Sequence, residues 1–188
     1  MNAVDQLLAR NAQFAAGHEP GQPMLPALRT CVVTCPDARV DPAQVLGLKL
    51  GDAAVIRAAG GRISPIVLQN LVLLQAAGAT VEQPQDSAQA QAEPFELVLM
   101  LHTDCGITRL QGPEYCDGLA AVLGCPTEQL DSKLVGDPYG AVRVDIEALA
   151  ANPLIPDSLS VTGLVYDVDT GRVELVERRS PLREGAAD

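Results

Sequence analysis

Hydrophobic and polar positions divide the chain into short blocks of different period. Val4, Leu7, Leu8 and Phe14 recur at helical spacing and predict a short amphipathic helix near the start. "TCVVTC" (30–35) is a β-branched run without alternation, the pattern of a strand buried on both faces. "AAVIRA" (53–58), "FELVLML" (95–101) and "SVTGLVYDV" (160–168) read as three more strands. "DTG" then turns the chain into "RVELVE" (172–177), an antiparallel hairpin partner. Between strands the period changes. "IVLQNLVLLQAAG" follows Ser64 and Pro65, an N-cap and a first-turn proline, and is predicted to stop near Gly78. Two more helices are predicted near 114–123 and 138–150.

Strands alternating with helices predict an α/β fold: one domain with a mostly parallel central β-sheet flanked by helices, plus a C-terminal antiparallel edge strand. At 188 residues and 47% hydrophobic content the chain can bury one good core. We expect a helical arm over about 1–17, a mobile polar insertion over about 82–94 ("EQPQDSAQAQAEP") and a tail over about 178–188. No internal repeat is present.

Composition narrows the function. Aromatics make up 3% of residues, with no Trp, so Ala, Val, Leu and Ile must fill the core. The formal charge of −11 argues against nucleic acid and anionic membrane as partners and allows a small neutral substrate. No run of about 18 apolar residues suggests a membrane span. The N-terminus lacks a charged segment followed by a continuous apolar one, so a cytoplasmic location is expected. Five cysteines, an odd number, argue against a disulfide framework. Each is then core filler or a metal or catalytic group.

Two of them fall at telling places. "VTCPDARV" (33–40) puts Cys35, Asp37 and Arg39 at every second position as the first strand ends. "LHTDCG" (101–106) puts His102 and Cys105 three residues apart as the third strand ends. In a parallel sheet both places lie at carboxyl ends of strands, where ligands bind. If the two strands are neighbours, Cys35, His102 and Cys105 meet. Two thiolates and an imidazole suit Zn²⁺, and three protein donors leave a fourth position open, the pattern of a catalytic site. The plain alternative is two small buried apolar thiols and a satisfied core histidine. Cys31, four residues deeper on the same strand, reads as core. Cys116 and Cys125 lack metal spacing, and His18 sits in a Gly/Pro-rich surface connector.

Together "CPDAR" (35–39), "VIRAAGG" (55–61) and "HTDCG" (102–106) resemble the motifs of the β-class carbonic anhydrases, in order and spacing. The resemblance runs from the first helix to about residue 176 and includes the "GLVYDV" strand. It implies that Cys35, His102 and Cys105 hold zinc and that Asp37 and Arg39 form a catalytic dyad. In one closed state of the family the aspartate leaves the arginine for the fourth zinc position, so Asp37 is also a conditional ligand. Which partner Asp37 keeps at rest stays open. The implied reaction is reversible hydration of carbon dioxide to bicarbonate and a proton, by a hydroxide on zinc that the dyad orients. A homodimer or homotetramer is implied, with the first helix embracing the partner. Hydrolysis of carbon disulfide or carbonyl sulfide, or a non-catalytic zinc-binding role, are the alternatives. One motif residue departs from the pattern: Ala58 stands where the family usually has Asn. Arg57 is expected to form a structural ion pair. Gly60 and Gly61 are expected to allow close backbone approach, and Asp104 to orient the metal loop or face solvent.

Overall fold

The computed structural model describes residues 2–81, 95–127, 130, 134 and 136–183. The β-branched runs make the centre of one sheet. Its strands are β1 (Thr30–Thr34), β2 (Ala53–Arg57), β3 (Glu96–His102), β4 (Ser160–Tyr166) and β5 (Val173–Arg179). Their order is β2-β1-β3-β4-β5. The first four are parallel, and β5 returns antiparallel along β4. Helices α1 (Ala3–Ala16), α2 (Pro42–Val45), α3 (Pro65–Val81), α4 (Pro113–Leu123) and α5 (Pro138–Ala150) complete the fold.

The continuous apolar character of β1 and β3 follows from burial on both faces. Cys31, Val33, Leu97, Leu99 and Leu101 share one core with Val67 of α3 and with Val142, Ile146 and Leu149 of α5. Their strand neighbours Val32 and Met100 point the other way, into a smaller core with Val40. Gly163 on β4 lets α5 close onto the sheet, because a Cβ there would collide with the Val142 side chain. Asp137 caps α5 by accepting from the N–H groups of Tyr139 (3.0 Å) and Gly140 (2.9 Å), and Pro138 opens the helix.

Three boundaries differ from expectation. Helix α3 runs through Gly78 to Val81. Gly78 keeps a helical backbone and packs near Leu25, so it is no stop. Strand β4 ends at Tyr166 rather than 168, because the amide of Asp167 already bonds the Arg172 carbonyl (2.8 Å) and starts the turn. Strand β5 continues to Arg179, and Leu182 beyond it is buried with its amide on the Leu159 carbonyl (2.7 Å). Residues 178–183 of the expected tail thus include the end of β5 and the buried Leu182. The insertion over 82–94 lies outside the described residues. Helix α1 carries a capping box between Asn2 and Asp5 and buries none of its residues in this chain.

Candidate metal centre

Strands β1 and β3 are neighbours, so their carboxyl ends meet. Thr34 secures the junction by donating its buried hydroxyl to the Met100 carbonyl (2.7 Å). Beyond Thr34 the chain turns. Val40 N–H donates to the Asp37 carbonyl (3.0 Å), and Arg39 N–H donates to the Asp37 side chain (2.9 Å). The expected alternation of Cys35, Asp37 and Arg39 along a strand is thus corrected. An Asx turn, not a pleat, brings the last two together.

Arg57, at the end of β2, fastens this turn from below. Its guanidinium donates to the carbonyls of Cys35 (3.2 Å), Asp37 (2.9 Å) and Val40 (2.7 Å), and lies 3.6 Å from Asp41. The segment after β2 passes close by. Gly61 has φ +71°, and a Cβ there would lie 3.2 Å from the Cys35 amide nitrogen. Ala58 donates its N–H to the Thr34 carbonyl (2.9 Å) and packs its methyl against the core.

His102 closes β3, and Cys105 follows a tight turn at Asp104, whose φ is +48°. All three candidate ligands are buried, and one donor atom from each lies within 4.8 Å of the others. The two sulfurs are 3.9 Å apart. A tetrahedral ion with Zn–S bonds of about 2.3 Å has an S–S edge of about 3.8 Å. His102 Nδ1 lies 2.8 Å from the Thr103 carbonyl, which can only accept, so Nδ1 carries the proton. That leaves the Nε2 lone pair, which is buried and has no hydrogen-bond partner among the described residues. An orphaned imidazole nitrogen facing two thiols is what a metal ion satisfies.

Electrostatics agree. Without metal, Cys35 is lowered to about 4, chiefly because Cys105 hydrogen-bonds to its sulfur; burial opposes this, and the His102 ring and the N–H groups of Asp37 and Gly60 add to it. Cys105 is pushed up, first by that same bond to Cys35 and then by burial. The dithiol thus holds one thiolate ready. Burial drags His102 down, but the Cys35 thiolate and the Thr103 carbonyl more than reverse this, and its pKa is raised. Cys31, also buried, is raised to about 12 by desolvation alone and sits in the core, 1% exposed.

Asp37 faces Arg39. Its two oxygens accept from Nε (3.1 Å) and Nη2 (2.8 Å), a two-pronged contact. Arg39 holds the Asp37 carboxyl well below the usual carboxylate range. The same guanidinium reaches Asp104, donating from Nη1 to the carboxylate (2.9 Å) and from Nη2 to the carbonyl (2.9 Å). Behind the centre, Asp145 of α5, 3% exposed, accepts from Arg62 Nε (2.8 Å), Arg62 Nη2 (3.0 Å) and the Ile63 amide (3.2 Å). This buried pair was not visible in the sequence, since 83 positions separate its members. Cys116 is buried in a small separate core, Cys125 is half-buried, and His18 is exposed beside Phe14.

A parallel α/β sheet with two thiols and an imidazole converging at its strand ends defines an α/β metalloprotein of the zinc type. No family model matches the chain. Individual proteins do. Over 177 residues it is 30% identical to beta-carbonic anhydrase 1 of Mycobacterium tuberculosis, spanning 94% of this chain and 99% of the relative. It is 28% identical to the carbon disulfide hydrolase of an Acidianus strain, over 90% of this chain and 87% of that one. The crystal structure of a Streptococcus mutans carbonic anhydrase matches with a TM-score of 0.74 and 34% identity, covering 94% of this chain and 99% of that one. The chain belongs to the β-carbonic anhydrase family, whose metal is zinc.

Proposed function

We propose that this protein catalyses the reversible hydration of carbon dioxide to bicarbonate and a proton, with Cys35, His102 and Cys105 holding Zn²⁺ and with Asp37 and Arg39 as the catalytic pair. One observation carries the reading: the three-donor cluster and an arginine-held carboxylate share the carboxyl ends of two adjacent strands. Bound there, Zn²⁺ would acidify water, lowering its pKa towards about 7 with neutral ligands and less far with thiolates. The chain's residues do the rest. Asp37, kept ionised by Arg39, presents a hydrogen-bond acceptor at the mouth of the cluster, where it would orient the attacking oxygen towards carbon dioxide. Arg39 keeps the carboxylate in this acceptor role, away from the position it would fill as a fourth ligand. N–H groups of Asp37, Gly60 and Ile107 aimed at the two sulfurs draw off some thiolate charge.

The test is stopped-flow carbon dioxide hydration at neutral and alkaline pH, with zinc measured on the same sample. Activity rising towards alkaline pH at one zinc per chain is expected. A zinc-full protein with no rate above background defeats the proposal. Cys105→Ser should lose most of the zinc. The similarity to a carbon disulfide hydrolase supports a second reading, a related linear substrate on the same centre; parallel assays with carbon disulfide and carbonyl sulfide separate the two.

We further infer a homodimer or homotetramer in which α1 is the arm. Val4, Leu7, Leu8 and Phe14 are each more than half exposed, and an apolar stripe of this kind calls for a cover. Leu7→Asp with Leu8→Asp should yield a smaller species by light scattering. The domain reading remains one catalytic unit with that arm. Five free cysteines fit a reducing cytoplasm.

A further inference from the structure

We propose that Asp104 is a positioning residue for the Asp37–Arg39 pair, tying the guanidinium to the loop that carries two of the three metal donors. The inference rests on the carbon dioxide hydration reading of this site and names what keeps its dyad in register.

The site is assembled from two separate turns. Cys35, Asp37 and Arg39 lie in the turn after β1, while His102 and Cys105 bracket the turn after β3. Asp37 and Arg39 are two residues apart, so their mutual bonds fix them to each other and not to the second turn. Arg39 makes the crossing. Besides its two bonds to Asp37, it donates from Nη1 to Asp104 Oδ2 (2.9 Å) and from Nη2 to the Asp104 carbonyl (2.9 Å). Three of its nitrogens thus serve two carboxylates and one carbonyl, from both sides of the crevice.

Asp104 is shaped for this task. Its φ of +48° is a left-handed conformation that Asp and Asn enter more readily than other side chains. With the backbone so turned, its carbonyl and its carboxylate reach one guanidinium together. Arg109 bonds the other carboxylate oxygen (3.2 Å), so charges alternate along Arg109, Asp104, Arg39 and Asp37. The Arg39 and Asp104 side chains are 48% and 49% exposed. Ion pairs that open to solvent add little stability. What the contact supplies is orientation: four bonds leave the guanidinium plane one arrangement, and the Asp37 carboxylate takes its place from that plane. Asp104 is therefore expected to matter to turnover far more than to folding.

Asp104→Gly tests this with least disturbance, because glycine keeps the left-handed backbone and the carbonyl and removes only the carboxylate. Asp104→Asn removes the charge and keeps an acceptor. Both should bind zinc fully and unfold near the wild-type temperature. For Asp104→Gly, kcat per bound zinc should fall about 10- to 100-fold with KM little changed, and Asp104→Asn should restore part of the loss. In an Arg39→Ala background, Asp104→Gly should cost nothing more, since it acts through the arginine. A readout independent of turnover is the ¹⁵N NMR signal of the Arg39 Nε–H in the metal-free protein, protected from solvent exchange in the wild type and exchange-broadened in Asp104→Gly. An unchanged Nε–H signal, or a kcat within twofold of wild type, overturns the proposal. A wild type that does not hydrate carbon dioxide strikes the proposed function instead, and the NMR comparison still decides the anchor.

Discussion

Gly61→Ala is the sharpest single test of how the fold builds the centre. Gly61 is buried with φ +71°, and an added Cβ would meet the Cys35 nitrogen at 3.2 Å, the Met100 carbonyl oxygen at 3.4 Å and the Thr34 carbonyl carbon at 3.4 Å. All three are backbone atoms and cannot swing aside. The left-handed conformation alone costs a non-glycine residue about 1–2 kcal/mol. Crowding in a packed site adds about 1–3 kcal/mol. A total near 3 kcal/mol lowers the melting temperature of a chain this size by about 6–12 °C. The atom that must yield belongs to Cys35, a proposed metal ligand, so zinc affinity should fall about 10- to 100-fold. Gly118→Ala is the control. Gly118 lies inside α4 at negative φ, with no atom within 4 Å of its added Cβ, and alanine there should stabilise by about 0.5–1 kcal/mol. The assay is calorimetric melting plus competitive zinc titration against a chromophoric chelator, at one protein concentration. If Gly61→Ala melts within about 2 °C of wild type and holds zinc as tightly, the close approach is not what fixes Cys35.

Three other outcomes are expected. Asp145→Ala, which takes a carboxylate from two buried donors of Arg62, should destabilise by about 3–5 kcal/mol in urea unfolding, while Arg62→Met with Asp145→Leu recovers most of it. Asp37→Ala should keep zinc and lose about 100-fold or more of hydration per zinc in stopped flow; near-normal turnover would remove Asp37 from the mechanism. Arg39 depresses the Asp37 pKa, so this pair's stabilisation is complete above the unfolded value of about 3.9 and is lost as pH falls below it. Arg39→Met should therefore flatten the acid limb of the stability profile, read by denaturant unfolding between about pH 5 and pH 3.

How much of this was legible in the sequence depends on the range of the signal. Strand and helix identities were local: the β-branched run "TCVVT" gave β1, the apolar run "LVLML" gave β3, and Ser64-Pro65 gave the start of α3. The three candidate donors were singled out because they fell at the ends of two predicted strands, and the structure brings them together. Helix ends were less legible, since Gly78 is a stop only if the backbone turns left-handed, and packing against Leu25 carries the helix past it. The turn at 35–40 was misread because Asx turns and pleats both place every second side chain in reach; only the hydrogen bond from the Arg39 amide to the Asp37 side chain separates them. For Arg57 and Asp104 the sequence suggested a kind of role, an ion pair and a loop-orienting carboxylate, but not the partners, because Arg57 reaches the Val40 carbonyl across 17 positions and Asp104 reaches Arg39 across 65; Asp145 was out of reach, with Arg62 83 positions away.

On the proposed function, charge would explain why an Asp–Arg pair lies beside the candidate metal donors. Two thiolates cancel the charge of a divalent ion, so the centre has no net attraction left for a third anion at long range. Close in, a carboxylate could still take the fourth position. Asp37 sits in the same turn as the Cys35 ligand and is 18% exposed, within reach of the crevice and partly shielded from water. A cation of fixed geometry is then needed to hold it at the edge. Lysine would supply the charge without the fork, whereas Arg39 occupies both carboxylate oxygens at 2.8 and 3.1 Å. Leaving the arginine means breaking two charge-assisted bonds to gain one ligand bond. Asp104 bonds Arg39 and Arg57 bonds the Asp37 carbonyl, so on the proposed reading both contacts would help keep the carboxylate on the arginine.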